Sequence, residues 1–152
     1  MSRAWIGLGS NLGDRRAHLE RALTLLGRAP GIEVRAVSSF METAPVGGPP
    51  QGMFLNAAAS IETDLDPDGL LAALLDIEDR MGRVRAERWG PRIIDLDLLL
   101  FDDRIMHGRR LTVPHPRMHT RRFVLEPLAE IAPDVVHPVL GRSVRDLLGD
   151  LG

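Results

Sequence analysis

Cysteine, lysine and tyrosine are all absent from this 152-residue chain. Without cysteine there is no disulfide, no zinc–thiolate centre and no thiol nucleophile. Without lysine there is no Schiff-base amine and no Walker-type phosphate loop, whose lysine is part of the motif. All 19 basic residues are therefore arginine, and any cationic contact to a phosphate falls to Arg or His. Aromatic residues make up only 4% of the chain, so a Phe or Trp near polar residues carries information. No apolar run is long enough to span a bilayer. Met1–Trp5 leads straight into an apolar strand without the long hydrophobic stretch of a signal peptide. A soluble, cytoplasmic chain with no membrane partner is expected, and the missing cysteines suit a reducing cytosol.

What is present points to an ordinary globular protein, with 44% hydrophobic and 26% charged residues. One domain over residues 1–152 with a sizeable core is expected, acting as a monomer. The formal net charge of −2 gives no reason to expect a nucleic-acid partner. The charges are nonetheless segregated. Arg83, Arg85, Arg88 and Arg92 crowd one stretch, and Arg109, Arg110, Arg117, Arg121 and Arg122 another. Asp95, Asp97, Asp102 and Asp103 lie between them, an arrangement that suits a polyanion bound with metal ions.

Patterning predicts a strand over Arg3–Leu8, a turn at residues 9–13, and a helix capped by Asp14 and closed by Gly27 with Pro30-Gly31. A strand is expected over Ile32–Met41, then a Pro/Gly-rich loop over Ala44–Gly52, of a length that in small domains is often functional. Phe54–Thr63 reads as a strand, and Asp66-Pro67 starts a helix that Gly82 ends. A polar loop over Arg83–Arg92 precedes the strongest strand, Ile93–Phe101. Short pieces follow: Leu111–Val113 extended, a helix over Arg121–Ala132, and a last helix from Ser143. The order β-α-β-β-α-β predicts an α+β, ferredoxin-like antiparallel sheet with helices packed on one face and long active-site loops.

Within Ile93–Phe101, alternation places Ile94, Leu96, Leu98 and Leu100 on one face and Ile93, Asp95, Asp97 and Leu99 on the other. The two carboxylates then share a direction, with Cα atoms roughly 6.5–7 Å apart. Two ionised groups on a half-buried face repel, and divalent cations relieve both the repulsion and the desolvation. Two Mg²⁺ ions would suit the pair and would clamp a phosphoryl displacement. An isolated Asp-x-Asp is more often a solvated strand face. The Arg-rich loop just upstream changes the balance, because arginine makes planar bidentate phosphate contacts. The reading requires that no apolar core cover the two aspartates.

The run Arg88-Trp89-Gly90-Pro91-Arg92-Ile93-Ile94-Asp95-Leu96-Asp97-Leu98-Leu99 resembles the signature of 6-hydroxymethyl-7,8-dihydropterin pyrophosphokinases. Gly9-Ser10-Asn11-Leu12, Val37-Ser38-Ser39-Phe40, Phe54-Leu55-Asn56-Ala57-Ala58, Ile77-Glu78, Leu111-Thr112-Val113-Pro114-His115 and Glu130-Ile131-Ala132-Pro133 resemble it in the same order. The resemblance implies transfer of the diphosphoryl group of ATP to the pterin hydroxymethyl group, in folate biosynthesis. It implies Asp95 and Asp97 as ligands of two Mg²⁺ ions, and Arg83, Arg92 and Trp89 as further catalytic residues. Phe54 and Phe123 would stack on the pterin and Asn56 would read its polar edge. Thr43, Ala44, Val46, Trp89 and Asp95 would complete that pocket. ATP would meet Glu78, Arg83, Arg92, Leu98, Arg110, Thr112, His115 and Arg121. The chain departs from the family pattern at four places. Pro116 replaces a frequent aromatic residue, Leu75 an expected polar adenosine contact and Ala44 a frequent proline, and the span between Arg85 and Glu87 is one residue short.

Two other functions use the same residues. A metal-dependent phosphoesterase would hydrolyse substrate with no pterin acceptor. A non-catalytic nucleotide-binding module would bind ATP and form no pterin product.

Overall fold

Helices begin in this chain where the sequence supplies a cap. In the computed structural model, which describes residues 1–44, 52–82 and 93–152, the Asp14 carboxylate accepts from Ala17 N at 3.1 Å and opens α1 (Arg15–Arg28). The Asp66 carboxylate accepts from Gly69 N at 2.7 Å and opens α2 (Pro67–Arg80), with Pro67 at its first turn. Ser143 caps the last helix in the same way. Gly82, with φ of 78°, leaves α2 through the left-handed region, as the sequence predicts. Gly27 does not end α1 but lies inside it; the chain turns at Ala29 and Gly31 (φ 79°).

The strands are β1 (Ser2–Ser10), β2 (Ile32–Val37), β3 (Met41–Thr43), β4 (Phe54–Thr63) and β5 (Asp95–Phe101). They form one antiparallel sheet ordered β2-β4-β1-β5, with β3 also paired to β4. α1 crosses from β1 to β2 with β4 between them, and α2 crosses from β4 to β5 with β1 between them. This double split βαβ is the ferredoxin-like arrangement. β6 (Met106–His107) and β7 (Thr112–Val113) make a separate ribbon. A 3-10 turn at Met118–Thr120, α3 (Arg122–Ile131) and α4 (Val144–Asp150) complete the chain. Among the described residues, no helix is long and apolar enough to cross a membrane.

Two expectations are corrected. The strand foreseen over Ile32–Met41 breaks at Ser38, whose Oγ accepts from Ala58 N (2.9 Å) and donates to the Ser39 carbonyl (2.9 Å). Glu130 of α3 binds both Ser39 N (2.9 Å) and Ser39 Oγ (2.7 Å), so the chain steps out of the ladder before β3. Helices also cover both faces of the sheet rather than one. α1 and α2 bury Leu19, Leu26, Leu70 and Leu74 against Ile6, Ile61, Leu96 and Leu98. α3 and α4 bury Leu125, Leu128, Val144 and Leu147 against Trp5, Ala58, Leu99 and Leu100 on the other face.

Leu100 thus lies opposite to its alternation. Trp5 pairs with Leu100 and Ile6 with Leu98, so β5 carries one extra residue. A bulge turns two successive side chains to one side. Leu99 and Leu100 join the second core and Phe101 returns to the first.

Asp66→Ala removes the α2 cap and is expected to lower unfolding free energy by about 1 kcal/mol. Urea denaturation measures this, with the circular dichroism of the native protein unchanged.

Candidate functional site

Register places the site. Gly9 of the central strand β1 lies between Asn56 of β4 and Asp95 of β5, and Gly7 lies between Ala58 and Asp97. Alternation turns all of these to the face that α3 and α4 cover. The second core occupies that face only from Leu99 toward the Phe101 end. Asp95 and Asp97 stay half-buried beyond its edge and line an open cavity, so the apolar core does not cover them. The two carboxylates are turned the same way, as the strand period requires.

Glycine makes the floor of this cavity. A Cβ on Gly9 would stand 2.9 Å from Asn56 Oδ1 and 3.5 Å from the Phe54 ring, and one on Gly7 would touch Leu99 at 3.5 Å. Phe54 and Phe123 form walls from β4 and from α3, with Thr43 and Ala44 at the rim. Asn56 is 5% exposed, and its Nδ2 donates to Thr43 Oγ1. That bond fixes the amide orientation and leaves its oxygen on the Gly9 side. The sequence reading missed Gly7 and Gly9, taking Gly9 for the start of a turn. The signal was available in Trp5-x-Gly7-x-Gly9, where one face of the strand loses its side chains after Trp5 while the other keeps Ile6 and Leu8.

Arg121, the residue before α3, enters the same cavity, and its guanidinium carbon lies 5.5 Å from the Phe123 ring centroid. Burial lowers its pKa most; Asp97 opposes this, Arg117 adds to it and Asp95 opposes it. The carboxylate pair therefore faces a fixed positive charge. His115 is a neutral imidazole, its pKa lowered to about 4 mainly by burial, then by Arg121, against the opposing effect of Asp95, with Arg117 lowering it further. Its Nδ1 accepts from Arg117 N at 3.2 Å, which assigns the ring proton to Nε2.

A second cleft runs along the outer edge of β5. Leu98, Arg110, Thr112 and His115 line it, together with Leu71 and Pro116. Asp97 lines both clefts. Leu98, Arg110, Thr112 and His115, expected around ATP, and the described residues expected around the pterin therefore gather on two sides of one carboxylate, whereas Arg121, also expected at ATP, lines the first cavity. Glu78 is different. It is 2% exposed, and its Oε2 accepts from Leu96 N at 2.8 Å, holding the free edge of β5 against α2. Glu78 does not line the second cleft, and this bond supports the strand that carries the aspartates. Arg83, Trp89, Arg92 and Val46 lie outside the described residues.

Magnesium fits the aspartate pair. The ion keeps several waters and commonly takes only one or two carboxylates together with substrate phosphates. A protein cage is not what the chain offers: among the described residues no group of three or more His, Asp or Glu side chains stands ready for a metal.

Residues 5–133 match the model of a family described as 7,8-dihydro-6-hydroxymethylpterin-pyrophosphokinase (HPPK). The chain is 49% identical over 151 residues to the 2-amino-4-hydroxy-6-hydroxymethyldihydropteridine pyrophosphokinase of Methylorubrum extorquens, covering 99% of this chain and 94% of that one. It is 50% identical over 132 residues to the protein of the same name from Bacillus subtilis, covering 87% and 79%. Among solved structures it resembles an HPPK-DHPS in complex with substrates, with a TM-score of 0.77 and 14% identity. It resembles equally the Plasmodium falciparum HPPK-DHPS with pterin and p-hydroxybenzoate, with a TM-score of 0.77 and 19% identity. The chain spans 43% and 41% of those two longer chains, and at such identity the likeness shows the fold alone.

Two outcomes follow from the geometry. Gly9→Ala places a methyl against Asn56 and the Phe54 ring; ligand binding in the cavity is expected to weaken by about tenfold or more, read by calorimetry, with circular dichroism unchanged. His115 has a folded-state pKa of about 4 against an ordinary 6.5, so the unfolded chain takes up the proton first as pH falls. Stability of the ligand-free protein should be fully present above 6.5 and decline from there toward 4. His115→Gln should flatten that part of the profile in urea midpoints measured between pH 7 and pH 4.5.

Proposed function

This chain belongs to the 7,8-dihydro-6-hydroxymethylpterin-pyrophosphokinase family, and we propose that it transfers the diphosphoryl group of ATP to the hydroxymethyl group of 6-hydroxymethyl-7,8-dihydropterin, a step of folate biosynthesis. The observation that carries the reading is the sharing of Asp97 between an aromatic-walled cavity and a cleft rich in arginine. The pterin ring lies between Phe54 and Phe123 over the bare backbone of Gly7 and Gly9. Asn56, already donating one N–H to Thr43, keeps a carbonyl and a second N–H for the heterocycle's edge. Thr43 and Ala44 close the rim; Val46 and Trp89 are the further pterin contacts that the family resemblance implies.

ATP occupies the cleft outside β5. Leu98 and Thr112 flank the nucleoside, while Arg110 and His115, with Arg83 and Arg92, receive the phosphates. Pro116 gives this cleft an apolar surface where the family often has an aromatic residue, and Leu71 adds to it. Arg121 sits between the two ligands, its charge directed at the phosphates being moved.

The hydroxymethyl oxygen forms a bond to the β-phosphorus, the bond from that phosphorus to the oxygen bridging it to the α-phosphate breaks, and AMP departs with that oxygen, while the hydroxyl proton passes to phosphate oxygen. Two Mg²⁺ ions held by Asp95 and Asp97 would neutralise phosphate charge and make the hydroxyl more acidic, so the chain itself need not supply a base. The protein's own task is placement: the sheet holds both reactants against adjacent positions of β5, and exclusion of water favours transfer over hydrolysis. The reading includes one 152-residue monomeric unit working in the cytosol.

Incubation with ATP, Mg²⁺ and the reduced hydroxymethylpterin should yield AMP and the pterin diphosphate, resolved by ion-exchange chromatography. ADP with a pterin monophosphate would identify an ordinary kinase instead. Phosphate release without acceptor would favour a phosphoesterase, and ATP binding without product a binding module. Asp97→Ala should keep its fold and lose turnover on the order of a thousandfold, equivalent to roughly 4 kcal/mol at the transition state.

A further inference from the structure

Arg15 is the first residue of α1, lines none of the cavities described, and has no part in the reaction as set out above. Its guanidinium nevertheless joins two other segments. Nη1 donates to the Met53 carbonyl at 2.9 Å and Nη2 to Glu42 Oε1. Each partner immediately precedes a cavity residue: Thr43 follows Glu42, and Phe54 follows Met53. Thr43 and Phe54 are themselves register partners across β3 and β4.

β3 has only three residues, so its own ladder holds it weakly. Its placement matters, because Thr43 Oγ1 accepts from Asn56 and thereby orients the amide. A planar guanidinium fork fixes the separation of two acceptors as a single ammonium cannot. Asn11, from the turn that leads to α1, adds a nearby contact from its Nδ2 to the Gly52 carbonyl at 3.4 Å. As a source of stability the clamp is minor: the Arg15 and Glu42 side chains are 29% and 53% exposed, and such a pair contributes about 0–1 kcal/mol.

We propose that Arg15 is a positioning residue for pterin recognition, acting through Glu42 and Met53 to hold Thr43, Phe54 and hence Asn56 in register. The proposal rests on the pyrophosphokinase reading. The second cleft lies at the other edge of the sheet and is not touched by the clamp, so the effect falls on one substrate.

The test compares wild type, Arg15→Ala, Arg15→Lys and Glu42→Gln. For Arg15→Ala the KM for the pterin should rise about tenfold, with the KM for ATP and the urea midpoint close to wild type. Arg15→Lys keeps the charge but not the fork and should resemble Arg15→Ala. Glu42→Gln keeps an acceptor oxygen and should stay within about threefold of wild type. An unchanged pterin KM in Arg15→Ala overturns the proposal. So does a parallel rise in both KM values with a lowered urea midpoint, which marks a merely structural role. Calorimetric titration of the pterin separates the two levels. If wild type binds pterin yet forms no AMP, the proposed reaction fails and the ratio of Kd between wild type and Arg15→Ala decides the clamp. If wild type binds no pterin, both fail.

Discussion

The site depends on a central strand that gives up its side chains on one face. β1 has a neighbour on each side, so anything placed on it would fill the space between Asn56 and Asp95 or between Ala58 and Asp97. At Gly7 and Gly9 there is nothing to place, and the backbone itself becomes a flat floor. The walls then need only to be flat and the flanks polar, which Phe54, Phe123, Asn56 and the aspartates provide. Glycine inside a strand costs conformational entropy. The long ladder with β4 and the packing of Ala4, Ile6 and Leu8 from the same strand offset that cost.

Electrostatics bind the two clefts together. Two carboxylates two positions apart on a half-buried face are unfavourable alone. Arg121 answers them from the start of α3, and His115 stays neutral because burial and the neighbouring arginines outweigh Asp95. A polyanion arriving beside His115 meets Arg109 and Arg110 in the same cleft. The layering of the fold makes this possible. α1 and α2, the crossover helices, leave one face of the sheet free, and α3 and α4 cover only its far end. The bulge at Leu99 helps set that division, turning Leu99 and Leu100 together into the second core while Asp95 and Asp97 stay outside it.

Support for the site comes from residues that never reach it. Glu78 binds the outward amide of Leu96 and so secures the edge strand that carries the aspartates. Glu130 holds Ser39 and thereby the step from β2 into β3. Arg15 anchors the residues flanking Thr43 and Phe54. Each joins segments far apart in sequence, and each contact lies outside the ladders.

Local information was enough for the caps at Asp14, Asp66 and Ser143, for the limits of β4, for the ferredoxin-like order and for the shared direction of Asp95 and Asp97. These follow from short-range rules: a side chain that accepts from the next turn, a period of two, a glycine that leaves a helix. Motif resemblance added the residues proposed to surround the two ligands. The sequence alone did not determine what depends on partners across the sheet. The bulge that moved Leu100, the break at Ser38, the bond from Leu96 to buried Glu78, the second helical layer and the glycine floor are all set by pairing and packing between distant segments. Local patterning reports which way a side chain alternates; only the assembled sheet decides what it meets there.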